Sequence, residues 1–249
     1  LSLSSWILTD RKRREAGGMK ELGFGIVGCG VISDWHAGAI REIEGVTLVG
    51  ATDHDKDSRE RFAKKYDIAA FDTYEQMLAC REIDVVCICT PSGMHSEMAV
   101  ACAKAGKNVL CEKPLDITRE KLDRMLRAFR ETGMKLGSVL QYRTCKGLIK
   151  AKKLLDSNEL GKILYANGHC KIYRSPEYYK SAGWRGTWDF DGGGCLMNQA
   201  ICLSWAGNSP VYLTTGRGLL DRLRKNITFR FMATSTACLR GESKQRAPR

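Results

Sequence analysis

The chain has 249 residues, 43% of them hydrophobic and 27% charged, enough for one large domain or two modest ones and too apolar for disorder over most of its length. The net charge is +12, but residues 1–18 carry +2 and residues 203–249 carry +7, which leaves +3 for residues 19–202. The excess lies at the two ends, so a basic nucleic-acid face on the core is not expected.

From Met19 the pattern is regular. Residues 22–30 (LGFGIVGCG) form an apolar run ending in glycines, which predicts a buried strand. A helix is predicted over 32–43, a strand over 46–53, a helix over 57–66 and a short strand over 68–71. Residues 73–80 read as helix, 84–91 as a strong strand, 95–106 as a helix closed by Gly106, and 108–114 as a fifth strand. A long helix over 118–133 ends at Gly133, and a sixth strand runs over 135–142. Strands alternating with helices through short connections imply parallel β-α-β units. Continuous apolar strands imply a sheet covered on both faces, hence a doubly wound α/β domain. After a helical stretch at 147–156, the alternating run 161–173 predicts the start of a second, antiparallel sheet.

No stretch of about 18 apolar residues occurs, so no membrane-spanning helix is expected. The short apolar patch at the start precedes its charges, the wrong order for a secretory signal. Eleven cysteines, an odd number with no C-x-x-C pair, fit neither a disulfide framework nor a zinc finger. Most lie in apolar runs, as Cys87 and Cys89 do, where a thiol is a small buried hydrophobe. A reducing cytoplasm is the natural compartment. Four histidines without an H-E-x-x-H pattern argue against a metal site.

Three motifs carry chemistry. Gly28, Gly30 and Ser33 form G-x-G-x-x-S between a predicted strand and a predicted helix, and Asp53 ends the next strand. Gly28 permits the tight turn, Gly30 admits a pyrophosphate to the backbone, and Ser33 is small enough for close packing of helix on strand. Asp53 can accept from both ribose hydroxyls and would repel a 2′-phosphate, which favours NAD over NADP. A methyltransferase also has a glycine-rich first turn and an acid after the second strand, so this motif alone leaves the cofactor open. The second motif, TPSGMHSEM, puts Thr90 and Pro91 at a strand's carboxyl end, under a cofactor, and His95 at the next helix start. His95 either faces the crevice or merely fills the first turn. The third, CEKP at 111–114, closes an apolar strand with two charges. Burying such charges is costly, and Lys113 is placed to hold a substrate hydroxyl or assist proton transfer.

Together, GIVGCGVISDWHAGAI, Asp53, TPSGMH, NVLCEKPL, VLQYR, LGKILYA and WRGTWDFDGGGCLMNQ resemble, in order and spacing, the Gfo/Idh/MocA family of nicotinamide-dependent sugar oxidoreductases. The resemblance covers about residues 20–202. It implies a Rossmann domain over 19–142 and a partial substrate and oligomerisation α/β domain over 143–202, built on a mainly antiparallel sheet. It implies hydride transfer between NAD and a carbinol carbon of a sugar, polyol or sugar derivative, by a homo-oligomer if the second sheet is sufficient. The cofactor set it implies is Gly28, Gly30, Val31, Ile32, Asp53, Thr90, Pro91, His95, Glu112, Lys113 and Gln141. The substrate set is Lys113, Arg143, Trp184, Arg185 and Asn198. The family's catalytic D-x-G-x-H falls on N-Q-A-I-C, which places Asn198 at the orienting position and Cys202 where the family has its histidine base. A thiol, with a reference pKa of about 8.5, is a poorer general base at neutral pH than imidazole. That departure keeps a second reading open: a non-catalytic NAD- or sugar-binding protein, or an inactive truncated relative.

The ends depart further. Residues 1–18 read as a leader without a role in the fold. Past Ile201 the family pattern gives way to a basic, Ser/Thr/Arg-rich tail over 203–249, as a change of reading frame near 200–202 would produce.

Overall fold

The computed structural model describes residues 21–157, 159, 161, 163–171, 173–193, 197–198, 201, 211–214, 226–233 and 240–244. The expected leader, 1–18, and Cys202 lie outside the described residues. The chain divides into two compact units, one ending at Val139 and one starting at Leu140.

The first unit alternates strand and helix as its sequence predicts. Its elements are β1 (Leu22–Val27), α1 (Val31–Arg41), β2 (Val46–Thr52), α2 (Lys56–Tyr66), β3 (Ala69–Ala70) and α3 (Tyr74–Ala79). They continue through β4 (Val85–Ile88), α4 (His95–Lys104), β5 (Asn108–Cys111), α5 (Arg119–Thr132) and β6 (Leu136–Ser138). All pairings are parallel, in the order β3-β2-β1-β4-β5-β6. This is the 3-2-1-4-5-6 order of a dinucleotide-binding sheet, in which the order of strand addition reverses between β1 and β4.

Both faces of the sheet are covered, which is why its strands read as unbroken apolar runs. Phe24, Ile26, Leu48 and Cys87 pack with Ala37 and Ile40 of α1 and Phe62 of α2. Val27, Val86, Ile88 and Val109 pack with Met77 of α3, Ala99 and Cys102 of α4, and Met125 and Phe129 of α5. Each large side chain buried this way contributes about 1.5–3 kcal/mol. Local signals set the helix ends. Thr73 and Gln76 make a capping box at α3, Thr118 caps α5 through the Lys121 amide, and Gly133 closes α5 at φ 71°.

The second unit contains a short 3-10 turn at Gln141–Thr144, α6 (Lys146–Asp156), β7 (Ile163–Lys171), α7 (Pro176–Lys180), α8 (Trp188–Asp191), β8 (Val211–Thr214), β9 (Asn226–Ala233) and β10 (Arg240–Lys244). Its sheet has the order β10-β9-β7-β8; β9 runs antiparallel to both β7 and β10, while β8 runs parallel to β7. A mainly antiparallel sheet is therefore present. Three of its four strands come from the stretch read as an atypical tail: β8 and β9 pair with β7, and β10 pairs with β9.

Candidate dinucleotide and substrate site

Strand register assembles the first unit's site. Val27 pairs with both Thr52 and Ile88, Ile88 with Cys111, and Cys111 with Ser138. The carboxyl ends of five strands thus form one row. The residues that follow them, Gly28, Asp53, Cys89–Thr90 and Glu112–Lys113, share one edge of the sheet, where such folds bind ligands.

The glycine turn fits a dinucleotide. Gly28 has φ 92°, and a Cβ there would lie 2.8 Å from the Cys89 carbonyl carbon and oxygen. Only glycine lets the β1 and β4 loops approach so closely. Around Gly30 a Cβ would meet nothing within 4 Å, so its surface is open to an incoming group. Gly30 caps α1 without a side-chain hydrogen bond, which leaves the first-turn amides and their partial positive charge to an anion. Ser33 is fully buried and its hydroxyl donates to the Gly30 carbonyl. Val31 and Ile32 lie exposed at the helix start.

Asp53 holds this turn as well as facing it. Its Oδ2 accepts the Cys29 amide at 2.6 Å, and its Oδ1 accepts the Asp55 amide at 2.9 Å and lies 2.9 Å from His54 Nδ1. A carboxylate offers about four acceptor sites, so one remains for a ribose hydroxyl. A second requires the exposed His54 to swing away, at little cost for a surface pair. Arg59, which the sequence did not single out, donates to the Asp53 carbonyl at 3.2 Å and to Asp72 Oδ1 at 2.7 Å.

The E-K-P segment is gripped from both sides by histidines. His36 of α1 lies 2.9 Å from Glu112 Oε1, both nearly buried, while Glu112 Oε2 accepts the Lys113 amide at 3.1 Å. Burial works against a charged His36, but its contacts with the Cys87 and Cys89 thiols and the Glu112 carboxylate outweigh it, and its pKa is raised. His95 is 1% exposed, with Nδ1 2.7 Å from the Pro114 carbonyl and Nε2 2.9 Å from the Thr90 carbonyl. Burial, opposed by those carbonyls and by Asp116 and Glu112, holds it below the usual histidine range. Asp116 completes the grip by accepting the Ser96 amide at 2.9 Å. His95 and Glu112 are both turned inward by packing, where they hold the ends of β4 and β5. His36 escaped the sequence reading because its partner lies 76 residues away. Lys113 between them is half-buried, and Thr90 and Pro91 are partly exposed at the β4 end.

The thiols nearby are inert. Burial, with the Asp53 charge, pushes Cys29 up to about 12, and burial pushes Cys89 up to about 11 despite His36. Among the described residues no group of metal-binding side chains occurs, and no helix is long and apolar enough to cross a membrane.

In the second unit Asn198 is buried and donates Nδ2 to Asp191 Oδ1 at 2.7 Å; Asp191 Oδ2 accepts the Gly186 amide at 2.8 Å. One carboxylate thus fixes both Asn198 and the turn that carries Trp184 and Arg185. Asp191 is another residue the sequence reading missed. Gln141 and Arg143 lie in the 3-10 turn, and Arg143 lines a cavity of about 260 Å³ with Leu148, Ile149, Lys152 and Lys153.

Known proteins share the sequence and fold of this chain. Residues 22–139 match the family model of oxidoreductases with an NAD-binding Rossmann fold, and residues 148–203 match the GFO/IDH/MocA C-terminal domain. The chain belongs to the Gfo/Idh/MocA family. It is 31% identical over 159 residues to an inositol 2-dehydrogenase of Salmonella paratyphi B, covering 62% of this chain and 47% of that protein. It is 28% identical to oxidoreductase P35 of Formosa agariphila, over 72% of this chain and 57% of that protein. The chain spans about half the length of these curated relatives. The WlbA dehydrogenase of Bordetella pertussis, solved with NADH and UDP-GlcNAcA, superposes with a TM-score of 0.79 at 26% identity over 90% of this chain and 78% of its own.

Proposed function

We propose that the chain is an oxidoreductase that binds NAD in preference to NADP and moves a hydride between it and a carbinol carbon of a sugar, polyol or sugar derivative. The observation that carries this reading is the single sheet edge that holds the open Gly28–Gly30 turn, Asp53 and Lys113 together. Bound NAD supplies the hydride acceptor. The α1 amides receive its pyrophosphate, and Asp53 accepts from the adenosine ribose and disfavours a 2′-phosphate. Lys113 takes or holds the carbinol proton, on a segment kept rigid by His36, His95 and Asp116. Asn198, fixed by Asp191, orients the substrate. The dehydrogenase relatives and the NADH-bound WlbA structure support the same class. Seven free thiols among the described residues suit a reducing cytoplasm.

The test is NADH formation from NAD across a panel of sugars, polyols and sugar acids, with NADH affinity followed by fluorescence. Lys113→Ala should abolish turnover and retain NADH binding; turnover at the parent rate would remove Lys113 from the chemistry. One observation favours a second reading, a non-catalytic binding protein: Cys202 stands where the family has its histidine base. NADH binding without turnover on the whole panel, with turnover restored by Cys202→His, would establish that reading.

A further inference from the structure

An imidazole stands just past the carboxyl end of β2 with its ring in solvent. The His54 side chain is 99% exposed, yet its Nδ1 lies 2.9 Å from Asp53 Oδ1, on a carboxylate that is itself only 12% exposed. Asp53 Oδ1 also accepts the Asp55 amide at 2.9 Å, and Oδ2 accepts the Cys29 amide of the glycine turn at 2.6 Å. An ion pair at such exposure adds little to stability. What the contact provides is a group of variable charge placed on the acid that faces the cofactor turn. Histidine changes charge between about pH 5 and 8, so the net charge at this strand end depends on the solution as well as on the sequence.

The neighbouring charges have other work. In the loop after β2, the Asp55 carboxyl is held below its usual range by Ser58 and, more weakly, by His54 and Arg61. At the start of α2, Lys56 pairs with Glu60, and Asp57 lies in the first turn. Arg59 donates to the Asp53 carbonyl and to Asp72, and Arg61 donates to Ser58 Oγ at 2.9 Å. From the facing turn comes Cys29, whose thiol, pushed up to about 12 by burial and the Asp53 charge, stays neutral. Of these side chains only His54 is an imidazole, and it is the one in contact with the Asp53 carboxylate through its own side chain.

We infer that His54 is a specificity-determining residue that makes the choice between NAD and NADP depend on pH. This rests on the reading that Asp53 receives the adenosine ribose, and it adds a second determinant to that site. While His54 is neutral, Asp53 keeps its full negative charge beside the ribose 2′ position and repels a 2′-phosphate. Once protonated, the imidazolium offsets that charge, and with Nδ1–H on Asp53 its Nε2–H can serve a phosphoryl oxygen. A 2′-hydroxyl needs no such bridge: it takes its own place on the carboxylate, and the exposed ring swings away at little cost. The acid thus selects for NAD, and the histidine sets how strictly it does so.

The experiment is calorimetric titration of the full chain with NAD and with NADP at about pH 6 and about pH 8, for the parent, His54→Gln and His54→Arg. A phosphate monoester gains a proton of its own near about pH 6, so His54→Gln sets how far the NAD-to-NADP affinity ratio falls without an imidazole. From the higher pH to the lower, the parent's ratio should fall at least about threefold further than that of His54→Gln, the scale of one solvent-exposed charge pair. His54→Arg carries its cation at both pH values, so at the higher pH it should discriminate less than His54→Gln by a similar factor. With the side chain 99% exposed, neither substitution disturbs packing. A parent ratio that falls no further than that of His54→Gln, or a His54→Arg variant as selective as His54→Gln at the higher pH, would overturn the inference; NAD binding in the same titrations would leave the dinucleotide reading standing. Binding of neither dinucleotide would overturn both.

Discussion

Replacing His36 with alanine should destabilise the first unit by about 3 kcal/mol, and most of that loss should belong to Glu112 rather than to the missing imidazole. Glu112 Oε1 lies 2.9 Å from His36 Nε2, with side-chain exposures of 10% and 9%. Removing one partner of a buried pair typically costs about 3–5 kcal/mol, because the other charge stays buried without compensation. Glu112 keeps the Lys113 amide at 3.1 Å, which places the cost at the low end. Against a typical stability of about 5–15 kcal/mol, 3 kcal/mol is on the order of a hundredfold in the folding equilibrium. Urea unfolding of the parent, His36→Ala, Glu112→Gln and the double variant gives the cycle. The double variant should be more stable than the sum of the single effects by about 1–2 kcal/mol, since glutamine removes the stranded charge. Because the folded-state pKa of His36 is raised, its contribution is complete below about pH 6.5 and is lost progressively as pH rises toward the folded-state value. The cost of His36→Ala should therefore be larger at pH 6 than at pH 9. Additivity within about 0.5 kcal/mol, or a cost independent of pH, would refute the ion-pair reasoning.

Three further outcomes follow from the same edge of the sheet. Gly28→Ala should cost at least about 2 kcal/mol by urea unfolding, from the positive φ and the backbone contact with Cys89, whereas Gly30→Ala should leave stability within about 0.5 kcal/mol and weaken NADH; parent-like NADH affinity in Gly30→Ala would remove the pyrophosphate from that position. Calorimetry should find NAD binding more tightly than NADP, with Asp53→Ala narrowing the difference; equal affinities in the parent would strip Asp53 of its selective role. The pKa of His95 is lowered, so its contribution is present above about pH 6.5 and is lost as pH falls toward the folded-state value. Unfolding midpoints from pH 7 to 5 should fall more steeply for the parent than for His95→Gln, and equal slopes would contradict a neutral His95.

The first unit was legible because every physical signal in it points the same way. Strands buried on both faces leave unbroken apolar runs, and caps such as Thr73, Thr118 and Gly133 mark helix ends locally. Gly28, Asp53 and Lys113 were equally legible, since position after a strand end is a one-dimensional property. The inward turn of His95 and the His36–Glu112 pair were not, because both depend on contacts made only when α1 and α4 close over the sheet. In the second unit β9 carries an alternating pattern at Ile227, Phe229 and Phe231, which marks a strand despite its charged surroundings. Arg240–Lys244 carries no apolar residue at all, yet it pairs antiparallel with β9. Asn198 was found by motif, while its anchor Asp191 emerged only from the fold.

The parallel pairing of β7 with β8 makes the stretch between them a crossover connection, and residues 173–198 lie inside it. The segment that presents Arg185, Trp188 and Asn198 is thus tethered at one end by β7 and at the other by the few pairs from Ala166↔Val211 to His169↔Thr214. Closing so long a loop costs entropy that these few pairs must offset. Under the proposed function, sugar binding and strand attachment are thermodynamically linked: a ligand that orders the crossover would tighten the seam between β7 and β8, and fraying of β8 would loosen the grip on the ligand. Slowed amide exchange in Val211–Thr214 would then report occupancy of the proposed site.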